Sequence, residues 1–393
     1  MKVRSPVLGL VLLLPVLAAC TTTEPLSDQR PGTEPALHTD EAGLWLQMER
    51  IEDTYANSAL RLKDPALEGY IKGVVCRLSE EYCGDLRIYV LQQPYFNAAM
   101  WPNGMVAVWT GLLLRADNEA QLAFVLGHEM GHYIRRHSLQ RMMEVRNQGN
   151  LLAIVNVALA GAGLGSAGYL TSAYVVANLM AFSRDNEREA DAIGVRSSIE
   201  AGYDPREGAA LWRLVKAEGE AMDRDQPSIF TATHPGIDER IANIEARAAD
   251  VSATDSELDL GRERYQAATH DHRADWLRAE LRKHEYTGSQ VVLDQLLVGD
   301  PSSGELHFYQ GEIYRLAEEE GYSEKAIAVY RKAIGLGDAP PAAHRELGLL
   351  YWDNEQLEEA RQALEAYLAA DPQAADRLMI ESYILQLSEQ VST

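Results

Sequence analysis

Five consecutive residues, His128-Glu129-Met130-Gly131-His132, carry the clearest chemistry in this chain. The apolar run Leu122-Ala123-Phe124-Val125-Leu126-Gly127 leads straight into them and predicts a helix. Four residues are about one helical turn, so both imidazoles leave the same face and can share one metal ion. Glu129 lies beside that face, where its carboxylate can take a proton from a water on the metal. Two imidazoles and a carboxylate at this spacing suit a Zn2+ ion and hydrolysis. The pattern fixes only three positions, so the remaining ligands must come from elsewhere.

A hydrolytic zinc takes three protein ligands and keeps one position open. A third histidine at the spacing H-E-x-x-H-x-x-G-x-x-H is excluded, because Arg135 and Ser138 hold the later positions. His137 lies about 140° around a continuing helix from His132, which predicts a surface or supporting histidine. A carboxylate from a second helix is the other solution. Ser183-Arg184-Asp185-Asn186-Glu187-Arg188-Glu189-Ala190-Asp191-Ala192-Ile193-Gly194 supplies one. Glu187 and Asp191 share a face, and the small Ala190 and Gly194 let two helices approach closely. Glu187 is then the third ligand. Asp191 accepts the free N–H of a ligand histidine and fixes its tautomer. By itself Glu187 could equally pair with Arg184 or Arg188 on a solvated face.

The paired motifs H-E-M-G-H and E-R-E-A-D resemble those of peptidase family M48, the gluzincins that include HtpX and the CAAX-prenyl peptidases. Asn97-Ala98-Ala99-Met100-Trp101-Pro102-Asn103-Gly104 and the stretch after it are similar to the family's lead-in strand and helix. Thr233-His234-Pro235 with Arg240 is similar to its H-P-x-x-x-x-R segment. The likeness covers about residues 40–250 and is strongest to the BepA-like periplasmic members with C-terminal tetratricopeptide repeats. It implies one zinc per chain held by His128, His132 and Glu187, with Glu129 as the catalytic base. It also implies that His234 either occupies the fourth zinc position and holds the enzyme off, or turns to the oxyanion in turnover. Arg240 is implied as an oxyanion donor or a structural partner. The alternative for His234 is a helix-start residue before Pro235 with no metal contact.

The chain has 393 residues, a net charge of −23 and a hydrophobic fraction of 46%. Two domains are expected at this length. The acidity argues against a nucleic-acid partner, because phosphates are held by Lys and Arg. Residues 1–20 read as a lipoprotein signal: Lys2 and Arg4, an apolar stretch, then the lipobox Leu17-Ala18-Ala19-Cys20. Cys20 would carry lipid and tether the chain to a bacterial membrane, with the outer membrane facing the periplasm as the expected site. Residues 21–40 read as a flexible tether. Cys76 and Cys83 would meet an oxidising compartment and form a disulfide, with zinc binding by the pair as the lesser alternative.

The expected fold is α+β and mainly α. A zinc metallopeptidase domain of zincin type with a small β-sheet covers 41–250, followed by an all-α TPR-like helical repeat domain over 255–393. Strands are expected over 85–91 and 105–110, the second as an exposed edge that could add the substrate as a further strand. The uncharged stretch 151–182 reads as a helical hairpin, buried or close to a membrane; its first run is too short to span. Gly311, Tyr314, Ala326, Tyr330, Ala333 and Pro340, then Leu347-Gly348, Tyr351, Ala360, Leu364, Tyr367 and Pro372, fall at tetratricopeptide offsets. Together these features predict a lipid-anchored periplasmic endopeptidase for envelope quality control. The resemblance to the BepA-like members implies unfolded or misassembled proteins as its substrates and, through the repeats, outer-membrane assembly machinery as a partner. A repeat-based assembly factor or chaperone with a latent or structural metal site is the alternative, and an integral-membrane peptidase using 151–182 is a third.

Overall fold

The computed structural model describes residues 26–147, 181–223, 228–249, 258–317 and 319–391. Cys20, the signal segment and nearly all of the expected 151–182 hairpin lie outside the described residues. Among those described, no helix is long and apolar enough to cross a membrane. The elements are α1 (Asp40–Ala56), α2 (Pro65–Leu78), β1 (Arg87–Leu91), β2 (Ala98–Met100), β3 (Met105–Trp109), α3 (Thr110–Arg115), α4 (Glu119–Ile134) and α5 (His137–Asn147). Then follow α6 (Arg184–Glu200), α7 (Arg206–Ala221), α8 (Ile229–Thr233) and α9 (Ile237–Ala248). The second half is α10 (Arg262–Leu281), α11 (Tyr286–Gly299), α12 (Gly304–Ala317), α13 (Tyr322–Leu336), α14 (Ala342–Asp353), α15 (Leu357–Ala370) and α16 (Arg377–Val391).

The sheet has the order β1-β3-β2, with β1 parallel to β3 and β2 antiparallel to it. All five residues of β3 are buried. The expected exposed edge at 105–110 is therefore corrected: β3 is the middle strand. The tight connection after Met100 folds β2 back beside β3, so β2 takes the edge. The outer side of β1 is covered by Leu60–Leu62 backbone, with Leu62 N–H to Val90 O at 2.8 Å and Gln92 N–H to Leu60 O at 2.7 Å. Among the described residues no strand covers the outer side of β2.

Helix α4 lies against the sheet and is buried on every side from Glu119 to Tyr133. Its start is set by Asn118, whose side chain accepts the Gln121 N–H at 2.9 Å, while Gln121 Oε1 accepts the Asp117 N–H at 2.9 Å. This pair satisfies two backbone donors at a helix end that has no water to do so. Cys76 and Cys83 are joined in a disulfide, with Cα atoms 4.7 Å apart, between the end of α2 and the turn before β1. The stretch expected as a tether is held down along part of its described length. Gln29 N–H bonds Ile134 O at 2.8 Å, its carbonyl accepts from Tyr82, and Asp28 pairs with Arg135.

The helical half is continuous with the first. Trp276, Leu277, Val292 and Leu293 belong to the same core as Leu122, Phe124 and Trp212. Helix hairpins α12/α13 and α14/α15 stack in turn and α16 closes them. A Cβ at Gly311 would strike the Tyr330 ring and one at Gly348 would meet Leu364 Cγ at 2.8 Å. Both glycines let the second helix of a hairpin lie close on the first, which explains the repeat spacing in the sequence.

A buried charge cluster joins the halves. Arg115 on α3, 1% exposed, pairs with Glu218 on α7 at 2.5 Å and Glu280 on α10 at 3.1 Å, and Lys283 reaches Glu280 at 2.6 Å. Burial raises the Glu218 carboxyl, but Arg115 and Lys283 outweigh it and hold it at about 2, below the ordinary 4.5. A carboxylate held down in this way stabilises the fold above its ordinary value. That contribution fades as the pH falls through the folded value. Melting temperatures measured between about pH 5 and pH 2 should fall steeply for the wild type. Glu218→Gln should melt lower at neutral pH, by the equivalent of about 3 kcal/mol, with a flatter acid profile.

Candidate metal centre

Helices α4 and α6 cross almost backbone to backbone. A Cβ at Gly131 would stand 2.9 Å from Ala190 Cα, one at Gly127 2.7 Å from Ser197 Oγ, and one at Gly194 3.2 Å from the His128 amide nitrogen. This approach brings Glu187, in the first turn of α6, onto the face carrying His128 and His132. The two Nε2 atoms are 3.1 Å apart. Glu187 Oε2 lies 3.6 Å from His128 Nε2, and Oε1 lies 3.5 Å from His132 Nε2. His234 Nδ1 adds a fourth corner, 3.2 Å from His128 Nε2 and 3.1 Å from Glu187 Oε1. All four side chains are buried.

The spacing can be tested against zinc directly. Bonds of 2.0–2.1 Å in a tetrahedron put neighbouring ligand atoms about 3.3–3.4 Å apart. The separations of 3.1–3.6 Å bracket that edge. Four lone-pair donors converging without water are costly unless a cation is shared. The residues present fit one zinc ion.

The protonation states of the two imidazoles on α4 agree. Burial, with Arg240 adding to it, pushes His128 down to about 4, and burial holds His132 well below its ordinary value. Both rings are therefore neutral, as ligands must be. Burial alone would raise Glu187, but His234, His132 and Arg240 outweigh it and hold the carboxyl well below its usual range.

The supporting contacts are dense. Asp191 Oδ1 accepts from His128 Nδ1 at 2.9 Å, which leaves Nε2 for the metal. Arg240 donates to Asp191 at 2.7 and 2.9 Å, lies 3.2 Å from Glu187 Oε2, and sits 4.6 Å over the Trp212 ring. Of the two roles expected for Arg240, oxyanion donor or structural partner, the geometry is that of the partner. Its guanidinium is committed to two carboxylates behind the ligands. His137 is buried, with its Nδ1 3.0 Å from His132 Nδ1 and its Nε2 3.2 Å from Glu189. One helix continuing past His132 would turn His137 about 140° away from it. The chain instead turns at Arg136, with φ of 59°, and α5 returns His137 to His132.

Glu129 lies on the other side of the cluster, its Oε1 buried and without a hydrogen-bond partner and 3.7 Å from His234 Nε2. Burial pushes its carboxyl up to about 7, against the pull of His234, Arg240 and the Met100 backbone on β2. His234 closes the C-terminal end of α8, and the following α9 is entered through Gly236, so His234 does not start a helix. Sequence reasoning missed Phe182, whose ring stacks on His132 at 3.9 Å and whose N–H bonds Thr233 O at 3.0 Å. It also missed Phe230, stacked on His234 at 4.7 Å, and Trp212. No local pattern marks these aromatics, since their partners are distant in sequence.

Helix-borne HExxH, a carboxylate from a second helix and a preceding three-stranded sheet define a zinc-metallopeptidase domain. Residues 62–248 match Peptidase family M48, and residues 346–373 match a tetratricopeptide repeat. The chain thus carries an M48 peptidase domain followed by a repeat-containing helical region, and zinc is the metal its donor set holds. The chain is 35% identical over 162 residues to the mitochondrial metalloendopeptidase OMA1 of Schizosaccharomyces pombe, covering 40% of this chain and 45% of that protein. It is 29% identical over 200 residues to the beta-barrel assembly-enhancing protease of Escherichia coli, covering 49% and 41%. The putative counterpart from Vibrio cholerae is 26% identical over 258 residues, covering 61% and 51%. The chain spans about half the length of the curated relatives it matches.

Asp191→Asn should weaken zinc binding by roughly 10–100-fold in chelator competition, because His128 loses its orienting acceptor. Gly131→Ala should also weaken it, by prising α6 from α4. Unaltered affinity in both variants would detach the helix crossing from the metal site.

Proposed function

We propose that the protein is a zinc-dependent endopeptidase of the bacterial envelope, lipid-anchored through Cys20, which cleaves unfolded or misassembled proteins. The observation that carries this reading is the four-donor cluster with the Glu129 carboxyl buried beside it, its Oε1 without a hydrogen-bond partner. The lipobox and the Cys76–Cys83 disulfide support an exported, oxidising location. The name of the E. coli relative supports barrel proteins or their assembly machinery as the substrates or partners reached through the repeats.

His128, His132 and Glu187 would hold a zinc ion, which would supply Lewis acidity to the scissile carbonyl and to a water. Glu129 takes the proton of the attacking water and delivers it to the leaving amine nitrogen. A carboxyl poised near 7 can do both at neutral pH. The edge strand β2 aligns an extended substrate through its main chain, beside Glu129. Phe182 and Phe230 pack on His132 and His234 and keep bulk water from the site. His234 stands at the fourth corner in this arrangement and must swing aside for substrate, so it restrains the enzyme. Asp191 and Arg240 hold the ligands in place.

The position of His234 also favours a second reading, a repeat-based assembly factor or chaperone whose metal site is latent. Glu129→Gln separates the two. It should retain one zinc per chain and lose casein cleavage by at least about 100-fold. Equal cleavage by wild type and variant would sink the mechanism. Absence of cleavage by either, with full complementation in cells by Glu129→Gln, would establish the assembly factor. His234→Ala should raise proteolysis of an unfolded substrate; a fall would place His234 in the transition state instead.

A further inference from the structure

Two clefts flank the segment Gln92–Phe96 that leads into β2. One of about 600 Å³ lies between the segment Gln92–Tyr95 and helix α10, with Trp276, Arg278 and Arg282 on its far wall. The other, of about 540 Å³, runs from Phe96 past Val215 to Thr231 and Ile237, close to the His234 segment. Tyr95 lines both, so the two clefts meet at that ring. Beyond Tyr95 and Phe96 the chain enters β2, the edge strand beside Glu129. The larger cleft thus reaches from helix α10 to Tyr95, the residue from which the chain runs on through Phe96 into β2.

Gln93 forms part of the floor of the larger cleft. Its main chain is satisfied: N–H to Leu91 O at 2.8 Å, and its carbonyl accepts from Gly111 N–H at 2.7 Å and Thr110 Oγ1 at 2.9 Å. Its side chain is fully buried, yet neither Oε1 nor Nε2 has a partner. A buried carboxamide with both groups unpaired destabilises the fold unless something repays it. Turning it into the cleft breaks no hydrogen bond. One donor and one acceptor side by side match one peptide group.

The charge of the cleft runs against the rest of the chain. Arg278, Arg282 and Lys283 face it with Asp275 as the acidic member, although the protein carries −23. Arg278 is paired with Asp275, and Lys283 is held by Glu280 and Glu218. Arg282 is exposed and makes no ion pair among the described residues.

We propose that this cleft is a docking site for an acidic, extended stretch of the polypeptide substrate, with Gln93 pairing a peptide group and Arg282 meeting a carboxylate. The site rests on the peptidase reading for its purpose but not for its test. It grips the substrate away from the metal and feeds the chain past Tyr95 onto β2.

The test is binding, measured by fluorescence anisotropy of labelled unfolded casein with the full-length Glu129→Gln protein, in which no cleavage is expected. Gln93→Leu and Arg282→Glu should each raise Kd about tenfold. The Arg282 contribution should shrink as salt rises. Gln93→Leu should also melt a few degrees higher, because the unpaired amide is gone. Binding unchanged in both variants overturns the proposal. So does a lower melting temperature for Gln93→Leu, which would make the amide structural. A dimer that Arg282→Glu dissociates would give the cleft to a second copy and overturn it too. Should the wild type prove unable to cleave casein while both variants still bind it more weakly, the docking site stands and the peptidase reading falls.

Discussion

The close crossing of α4 and α6 is the constraint on which the site depends. A metal ligand contributed by a second helix must arrive within a few tenths of an ångström. Helices whose contact carries ordinary side chains sit 8–10 Å apart. Gly127, Gly131, Ala190 and Gly194 remove those side chains at the contact. Glu187 can then reach both imidazoles, while Asp191, one turn on, reaches the other nitrogen of His128. One geometric fact thus supplies both the third ligand and the group that orients the first. The cost is Gly in a helix interior, which is unfavourable by roughly 1 kcal/mol each relative to Ala. Complete burial of α4 offsets it.

Much of the site was legible because it follows from periodicity within one helix. His128 with His132, and Glu187 with Asp191, are each four apart, and small residues beside them announce a close neighbour. Repeat spacing was legible for the same reason: Gly311 and Gly348 face Tyr330 and Leu364 in equivalent hairpins. Strand order was not legible. Alternation and β-propensity identify 105–110 as a strand but say nothing of which strands it lies between, and its Val-rich composition fits the middle of the sheet. For His137 the supporting alternative holds rather than the surface one, because the chain turns where a single residue, Arg136, enters the left-handed region. Gln29 gave no warning that a Thr- and Pro-rich stretch would be fastened to α4, since its bond to Ile134 runs between backbone groups and the Asp28–Arg135 pair joins residues far apart in sequence.

The charge cluster between the halves bears on function as well as stability. Arg115, Glu218, Glu280 and Lys283 are all nearly fully buried, and a buried pair gains little over an apolar replacement. What such a network supplies is direction: guanidinium and carboxylates meet only in one arrangement of α3, α7 and α10. The same helices wall the two clefts, so the relative placement of the repeat region and the peptidase domain is fixed by hydrogen-bonded charge rather than by apolar contact alone.

His234 links the remaining features. Its Nδ1 joins the ligand cluster while its Nε2 points at Glu129, so one ring spans the two groups that must act on substrate and water. Burial would favour a neutral ring, but Glu187 and Glu129 outweigh it and raise its pKa. The ring is held by stacking on Phe230, at the end of a helix of only five residues, and by a chain that leaves at once through Pro235 and Gly236. Stacking on Phe230 and the carboxylates of Glu187 and Glu129 together hold the ring between the ligand cluster and the base. Opening the fourth corner as proposed would break all three contacts at once, whereas His128 and Glu187 are tied in addition to Asp191 and Arg240 behind the cluster.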